Sequence, residues 1–299
     1  MFRMKGVIPP MIVPFRENGE VDLDGLHVLT NFLKDRVHGL FITGSYGSGA
    51  LMTEEERKLV TKTVLEDVAQ KIPVIVHVGT ADNRSTVRLT EYAIECGASA
   101  VSAVGPYYYK HNQDSICSFY HDIVTAADGS VPVYVYNNPN FQGYKMEMPL
   151  LRRLKEEVGV NGMKDATFDI LAHANYCRVL KDDTFDVALG TEAMFLSARV
   201  LGCEAFIPGL GNAFPEICCK MYEEGMAGDY ESCRKTQFQI NELRDIMYIA
   251  KSTQLAIYAM LEIRGVLSCY PRAPFIAASP EEKNQIRERL RRCGMLAED

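Results

Sequence analysis

Short apolar runs and longer helix-period stretches alternate along this chain eight times, and few folds accommodate that pattern. The runs lie at 6–13, 39–44, 72–79, 98–104, 131–136, 160–164, 185–190 and 204–208. The third, Ile72-Pro73-Val74-Ile75-Val76-His77-Val78-Gly79, is the clearest, and the fourth is thinned by Ala and Ser. Most have no polar face, which is the mark of strands covered on both sides in a parallel sheet. The stretches between them carry helix signals. Thr53 precedes Glu54-Glu55-Glu56, with Glu56 placed for reciprocal capping, and Leu59, Val60, Val64, Leu65 and Val68 follow at helical spacing. A helix at 85–96 ends before Gly97, one at 150–157 follows Met148-Pro149 and stops at Gly159, and one at 192–201 stops at Gly202. Eight such units in 299 residues predict an α/β fold, a (β/α)8 TIM barrel over 1–212. An open doubly wound sheet is the alternative. It calls for an early phosphate loop, and neither GxGxxG nor GxxxxGK[ST] occurs. From 213 to 299 no strand pattern remains. Helical stretches at 214–226, 229–248 and 252–267, and a last one capped by Ser279-Pro280 and reaching 296, predict a C-terminal helical extension.

The charge balance removes several function classes. A net charge of −7 and a pI near 5.5 argue against a nucleic-acid partner, which needs a basic patch or stripe. No segment reaches the apolar length of a membrane span. The start, Met1-Phe2-Arg3-Met4-Lys5-Gly6, soon meets Pro9-Pro10 and lacks the apolar core of a signal peptide, so the expected location is the cytoplasm. The 9 cysteines form no CxxC pair and the 6 histidines no HExxH or HxH pattern. Reduced thiols and no metal site are the expectation.

In a barrel, chemistry gathers where strands end and βα loops begin. Those ends read Thr43-Gly44-Ser45-Tyr46-Gly47-Ser48-Gly49, Gly105-Pro106-Tyr107-Tyr108-Tyr109, Tyr136-Asn137-Asn138-Pro139, Lys164-Asp165, Gly190-Thr191-Glu192 and Pro208-Gly209-Leu210-Gly211-Asn212. A lysine at a strand end usually reaches solvent or pairs with a neighbour such as Asp165. The apolar positions before Lys164 alternate, however, and direct it into the barrel mouth, with Tyr136 at a comparable height one strand away. Out of water, the amine loses its proton more readily and becomes a nucleophile toward a ketone, and a tyrosine beside it can move protons. The glycine-rich loop at 44–49 reads either as a backbone nest for a carboxylate or as a turn that glycine merely permits. The tyrosines at 107–109 suit packing or an interface, from which one can reach a neighbouring subunit's site.

Several motifs then fall in order along the chain: Val13-Pro14-Phe15, Asn18-Gly19-Glu20-Val21-Asp22, Gly44-Ser45-Tyr46-Gly47, Pro106-Tyr107-Tyr108, Tyr136-Asn137-Asn138-Pro139, Gly162-Met163-Lys164 and Arg272-Ala273-Pro274. Together they resemble the dihydrodipicolinate synthase and N-acetylneuraminate lyase superfamily of pyruvate-dependent class I aldolases. The resemblance implies that Lys164 condenses with pyruvate or another 2-keto acid and that Tyr136 shuttles protons. It implies that Ser45, with Gly44, holds the keto-acid carboxylate and relays protons. Tyr108 completes that relay, in the synthases from an adjacent subunit. It further implies a homotetramer arranged as a dimer of dimers, and neither a metal nor an organic cofactor. Tyr46, Phe141, Gly190, Glu192 and Ile207 fall where a second substrate, a small aldehyde or sugar-derived compound, is bound.

The departures bear on that second substrate. The family loop reads Gly-Ser/Thr-Thr-Gly-Glu, whereas this chain has Gly44-Ser45-Tyr46-Gly47-Ser48. Where the synthases carry an arginine for the second carboxylate, this chain has Phe141, expected as a buried ring that cannot neutralise charge. Of two acidic residues that grip a sugar chain in the lyases, Glu192 is present and Ala193 replaces the other. The expected function is therefore an aldolase or lyase acting on a 2-keto-3-deoxy sugar acid or an N-acetylneuraminate-like acid. Dehydration of such an acid and dihydrodipicolinate synthesis are alternatives. A non-catalytic keto-acid sensor, suggested by Tyr46 and Ser48, is an alternative of another class.

Overall fold

The computed structural model describes residues 2–297. Eight strands form one sheet in the order β1-β8-β7-β6-β5-β4-β3-β2. They are β1 (Gly6–Val7), β2 (Leu40–Ile42), β3 (Val74–His77), β4 (Ala100–Val104), β5 (Val133–Asn137), β6 (Gly162–Asp165), β7 (Asp186–Leu189) and β8 (Ala205–Phe206). Every pair is parallel, and neighbours in sequence are neighbours in space. The ring closes between the first segment and β2. Met11 N donates to Phe41 O at 2.9 Å, and Phe41 N donates to Pro9 O at 3.0 Å. The run expected at 6–13 is therefore two paired residues and a bridge at Pro10. Pro9 and Pro10 have no N–H to donate, so Pro9 offers only its carbonyl and donation to β2 comes from Met11.

Strand alternation sorts the side chains onto two surfaces. Phe41, Ile75, Tyr134, Tyr136, Ala188 and Ala205 fill the barrel interior. Leu40, Ile42, Val74, Val76, Val135 and Val187 face the helical layer. Both sets are buried, which is why the runs read as apolar throughout. Lys164 shares the inward phase of β6, and Met163 and Asp165 take the outward one.

The helices are α1 (Leu23–Lys34), α2 (Glu54–Val68), α3 (Asn83–Glu95), α4 (Gln113–Ala127), α5 (Pro139–Gln142), α6 (Met148–Arg153), α7 (Ile170–Val179), α8 (Phe195–Val200), α9 (Pro215–Met226), α10 (Tyr230–Met247), α11 (Thr253–Ile263) and α12 (Pro280–Arg292). Thr53 forms the expected capping box, and the cap at Ser279 is also a full box with Glu282. Four helices, α1, α4, α5 and α7, lie where the sequence reading named none. α3 starts earlier than expected because Asp82 caps it, accepting from Ser85 N at 2.9 Å. The helix expected at 192–201 begins only at Phe195, since the segment before it is built into the barrel mouth. The stretch at 150–157 is α6 followed by a π-helical turn, closed by Gly159 at φ 88°.

α9 packs on β1 and α8, as a barrel helix does, and the expected break at 212/213 falls between β8 and α9. The helices α10, α11 and α12 pack on one another. Arg272 ties the extension back to the barrel, donating from both terminal nitrogens to the Glu56 carboxylate at 2.6 Å and lying 5.1 Å from the centre of the Phe15 ring.

Candidate active site

The β5–β6 register sets Tyr136 directly opposite Lys164. Lys164 is 2% exposed, with its amine 3.9 Å from the Tyr136 ring centre and 4.1 Å from that of Phe41. Asp165 does not pair with it. That carboxylate points to the other face and meets His173 Nδ1 at 2.9 Å, both groups being buried. Burial disfavours the His173 imidazolium, but hydrogen bonds with Asp165, Cys177 and Cys203 together outweigh it and raise the histidine pKa. Ring faces favour an ammonium, yet for Lys164 the loss of water dominates and brings the amine down to about 7. A substantial neutral fraction is therefore present near neutral pH.

Tyr136 Oη is hydrogen-bonded to Ser45 Oγ at 3.2 Å and accepts from Asn138 Nδ2 at 3.4 Å. Burial raises the phenol pKa, and both hydrogen bonds oppose that rise. His77 and Phe41 meet the ring edge-on, each with centroids 6.0 Å away. His77 Nε2 accepts from Val104 N at 3.0 Å. Burial first, then the nearby Arg57 guanidinium, hold this imidazole well below its usual pKa, so it stays neutral.

The loop at 43–49 is closely packed. Its two left-handed residues are Thr43 and Ser48, each at φ 54°. The glycines serve close approach instead: a Cβ at Gly49 would lie 1.9 Å from Thr43 O. The two departures from the family loop have matched partners. Gln254 Nε2, on α11, donates to Ser48 Oγ at 2.8 Å and to Tyr46 O at 2.9 Å. Tyr46 Oη donates to Thr253 Oγ1 at 2.8 Å, and its ring covers Gly209, where a Cβ would lie 2.3 Å from the hydroxyl.

A cavity of about 280 Å³ opens at the C-terminal ends of the strands. Lys164, Tyr136, Ser45, Tyr46, Phe141, Gly190, Glu192 and Ile207, all read from the sequence, line it. Gly44 lines a neighbouring cavity of about 300 Å³, which shares Ser45 and Phe141 with the first. One expectation changes here. Phe141 is not buried but 54% exposed, because Asn138 caps the single turn of α5 and lifts the ring to the rim. It still presents hydrocarbon to the cavity. Tyr108 is 85% exposed at φ 78°, stacks edge-on against Tyr109 at 5.0 Å, and lines neither cavity. Within one chain it does not join the Ser45–Tyr136 pair.

Independent relationships agree with this arrangement. The sequence model described as the Dihydrodipicolinate synthetase family matches residues 3–293. The chain belongs to this family. It is 29% identical to the 4-hydroxy-tetrahydrodipicolinate synthase of Archaeoglobus fulgidus, over 98% of this chain and 99% of that protein. With the same-named enzyme of Methanopyrus kandleri the identity is 28%, over 99% of each. The solved structure of the wild-type Ruminococcus gnavus sialic acid aldolase superposes with a TM-score of 0.91 at 26% identity, covering 97% of each chain.

In this member of the dihydrodipicolinate synthetase family the mouth is completed by the extension, which sequence reasoning missed. Arg244 and Tyr248 of the α10 end, with Lys251, Ser252 and Thr253 before and at the start of α11, line the Lys164 cavity. Nothing marks Arg244 in a helix rich in charge, so its role is visible only in space. Phe41 was readable, since it sits on the inward phase of β2. Glu192, expected to grip a sugar, is 1% exposed and already engaged. Its Oε1 lies 2.5 Å from Arg244 Nη1, and its Oε2 accepts from Gly209 N at 3.0 Å. Among the described residues no His, Cys, Asp or Glu group is arranged to hold a metal ion, and no helix is long and apolar enough to cross a membrane.

Proposed function

We propose that this chain is a class I carbon–carbon lyase in which Lys164 forms an imine with a 2-keto acid and Tyr136 moves the proton that carbon–carbon cleavage requires. The reaction class rests on the family. The residue roles rest on one observation, a desolvated lysine amine set opposite a buried tyrosine.

In the cleavage direction the neutral amine attacks the ketone carbon of a 4-hydroxy-2-keto acid, and water leaves to give the iminium. Tyr136 passes its own phenolic proton to the relay that begins at Ser45 and accepts the proton of the C4 hydroxyl. The C3–C4 bond breaks, its electrons pass to the iminium nitrogen, and the aldehyde departs. Protonation of the enamine at C3 and hydrolysis return pyruvate and the free lysine. Ser45, hydrogen-bonded to Tyr136, connects the phenol to the loop that receives the keto-acid carboxylate. Condensation is the same path reversed. Tyr108 would serve this relay from an adjacent copy, in a tetramer built as a dimer of dimers. Phe141 at the rim supports a lyase acting on a sugar-derived acid over synthesis of a dicarboxylate.

The test is incubation with pyruvate, reduction with borohydride and peptide mass spectrometry. A reduced pyruvyl adduct on Lys164 is the expected result. Its absence overturns the proposal and leaves the keto-acid sensor as the remaining reading.

A further inference from the structure

Four ionisable cation or carboxylate side chains line the Lys164 cavity: Lys164, Glu192, Arg244 and Lys251. Lys164 is the imine lysine. Lys251 is 54% exposed at its side chain and pairs with Glu282 of α12 at 3.0 Å. The other two form one unit. Glu192 Oε1 and Arg244 Nη1 are 2.5 Å apart, with side chains 1% and 11% exposed. Arg244 Nη2 also donates to Tyr248 Oη at 3.2 Å, and Gly209 N donates to the second Glu192 oxygen at 3.0 Å. Around this pair the cavity is thus electrically balanced. Its remaining polar groups include the hydroxyls of Thr191, Ser252, Thr253 and Tyr248.

A guanidinium in a cavity wall is otherwise a fork suited to a carboxylate or phosphate. Here Glu192 occupies that fork. An incoming anion would have to approach a fixed carboxylate at low dielectric, where like charges repel strongly. We infer that Glu192 is a specificity-determining residue: by holding Arg244 in an internal ion pair it keeps the aldehyde end of the cavity neutral, so the site takes an uncharged hydroxylated aldehyde and rejects a phosphorylated or carboxylated one. This inference rests on the lyase reading above and names the class of its second substrate.

Glu192→Gln keeps the shape and the acceptor for Gly209 N but removes the negative charge, leaving Arg244 unpaired in the mouth. The experiment compares condensation of pyruvate with glyceraldehyde and with glyceraldehyde 3-phosphate, using the full chain. The wild type should favour glyceraldehyde in kcat/KM by about tenfold or more. Glu192→Gln should shift the ratio toward the phosphorylated aldehyde by about tenfold or more, chiefly through KM. Adding Arg244→Gln should abolish that shift. A wild type that prefers the phosphorylated aldehyde overturns the inference whether or not the variant folds. So does an unchanged ratio in Glu192→Gln, or turnover of neither aldehyde by a protein that forms the pyruvate adduct. Trapping with pyruvate alone reports on Lys164 without an aldehyde. A missing adduct therefore refutes the lyase reading, whereas a normal adduct with an unchanged ratio refutes only the role of Glu192.

Discussion

Tyr136 and Lys164 are register partners on β5 and β6, and the lysine amine lies 3.9 Å from the centre of the tyrosine ring. The contact removes water from the amine and fixes the phenol on the same side of the barrel. Imine formation requires the unprotonated amine, and burial brings Lys164 to about 7. The rate of borohydride-trapped adduct formation should therefore rise with pH through about 7 and level off above it. A midpoint near the ordinary lysine range, above about 9, would contradict desolvation as the activating device.

The same burial acts on stability. The amine titrates near 10.5 when unfolded and near 7 when folded. Between those values the unfolded chain binds more protons, so stability rises with pH across the window. Below it both states are charged, and the folded protein bears the full cost of a buried ammonium. Lys164→Met should therefore stabilise the protein by an amount on the order of 5 kcal/mol below pH 7, fading toward pH 10.5. Urea melts at about pH 6 and pH 10 measure this. A gain that grows with pH contradicts it.

Tyr136 and Ser45 separate by the step they serve. Tyr136→Phe leaves the amine buried but removes the proton carrier. It should retain the pyruvate adduct while turnover with an aldehyde falls by about 10²–10⁴-fold. Ser45→Ala removes the 3.2 Å partner of that phenol without removing the phenol itself. A smaller loss is expected, with trapping again intact. Equal loss of trapping and turnover in Tyr136→Phe would mean that the tyrosine acts on imine formation.

How far the sequence carries is plain from particular residues. Lys164, Tyr136 and Ser45 are legible because period-2 alternation and strand ends are local properties, and a barrel converts them into one mouth. The first strand reads too long because apolar character continues through Pro9-Pro10 while backbone N–H donation does not. Glu192 is legible as a cavity residue, but its engagement is not. Its partner lies 52 positions away on another element, and no local pattern records that contact. Phe141 carries its chemical identity in the sequence, whereas its exposure depends on the cap at Asn138.

Tyr108 offers a test of assembly. In one chain it is 85% exposed and lines neither mouth cavity. If it serves the site of an adjacent copy, Tyr108→Phe and Lys164→Met damage different parts of one composite site. Each alone should turn over poorly. Mixed under conditions that allow subunit exchange, they should regain activity, because some sites then combine an intact lysine with an intact tyrosine. A mixture no more active than the sum of its parts rules out the shared site.

Tyr46 and Gly209 make the most specific packing prediction. Gly209 needs no unusual backbone angle, but a Cβ there would lie 2.3 Å from Tyr46 Oη and 2.4 Å from Cζ. The ring cannot simply swing aside, because its hydroxyl donates to Thr253 at 2.8 Å. Gly209→Ala should therefore cost about 1–3 kcal/mol through overpacking. Tyr46→Thr removes the atoms that collide, so the same alanine should cost close to nothing in that background. A double-mutant cycle by urea melts reads the difference directly. Equal costs in both backgrounds would place the need for Gly209 in the backbone and not in the tyrosine that covers it.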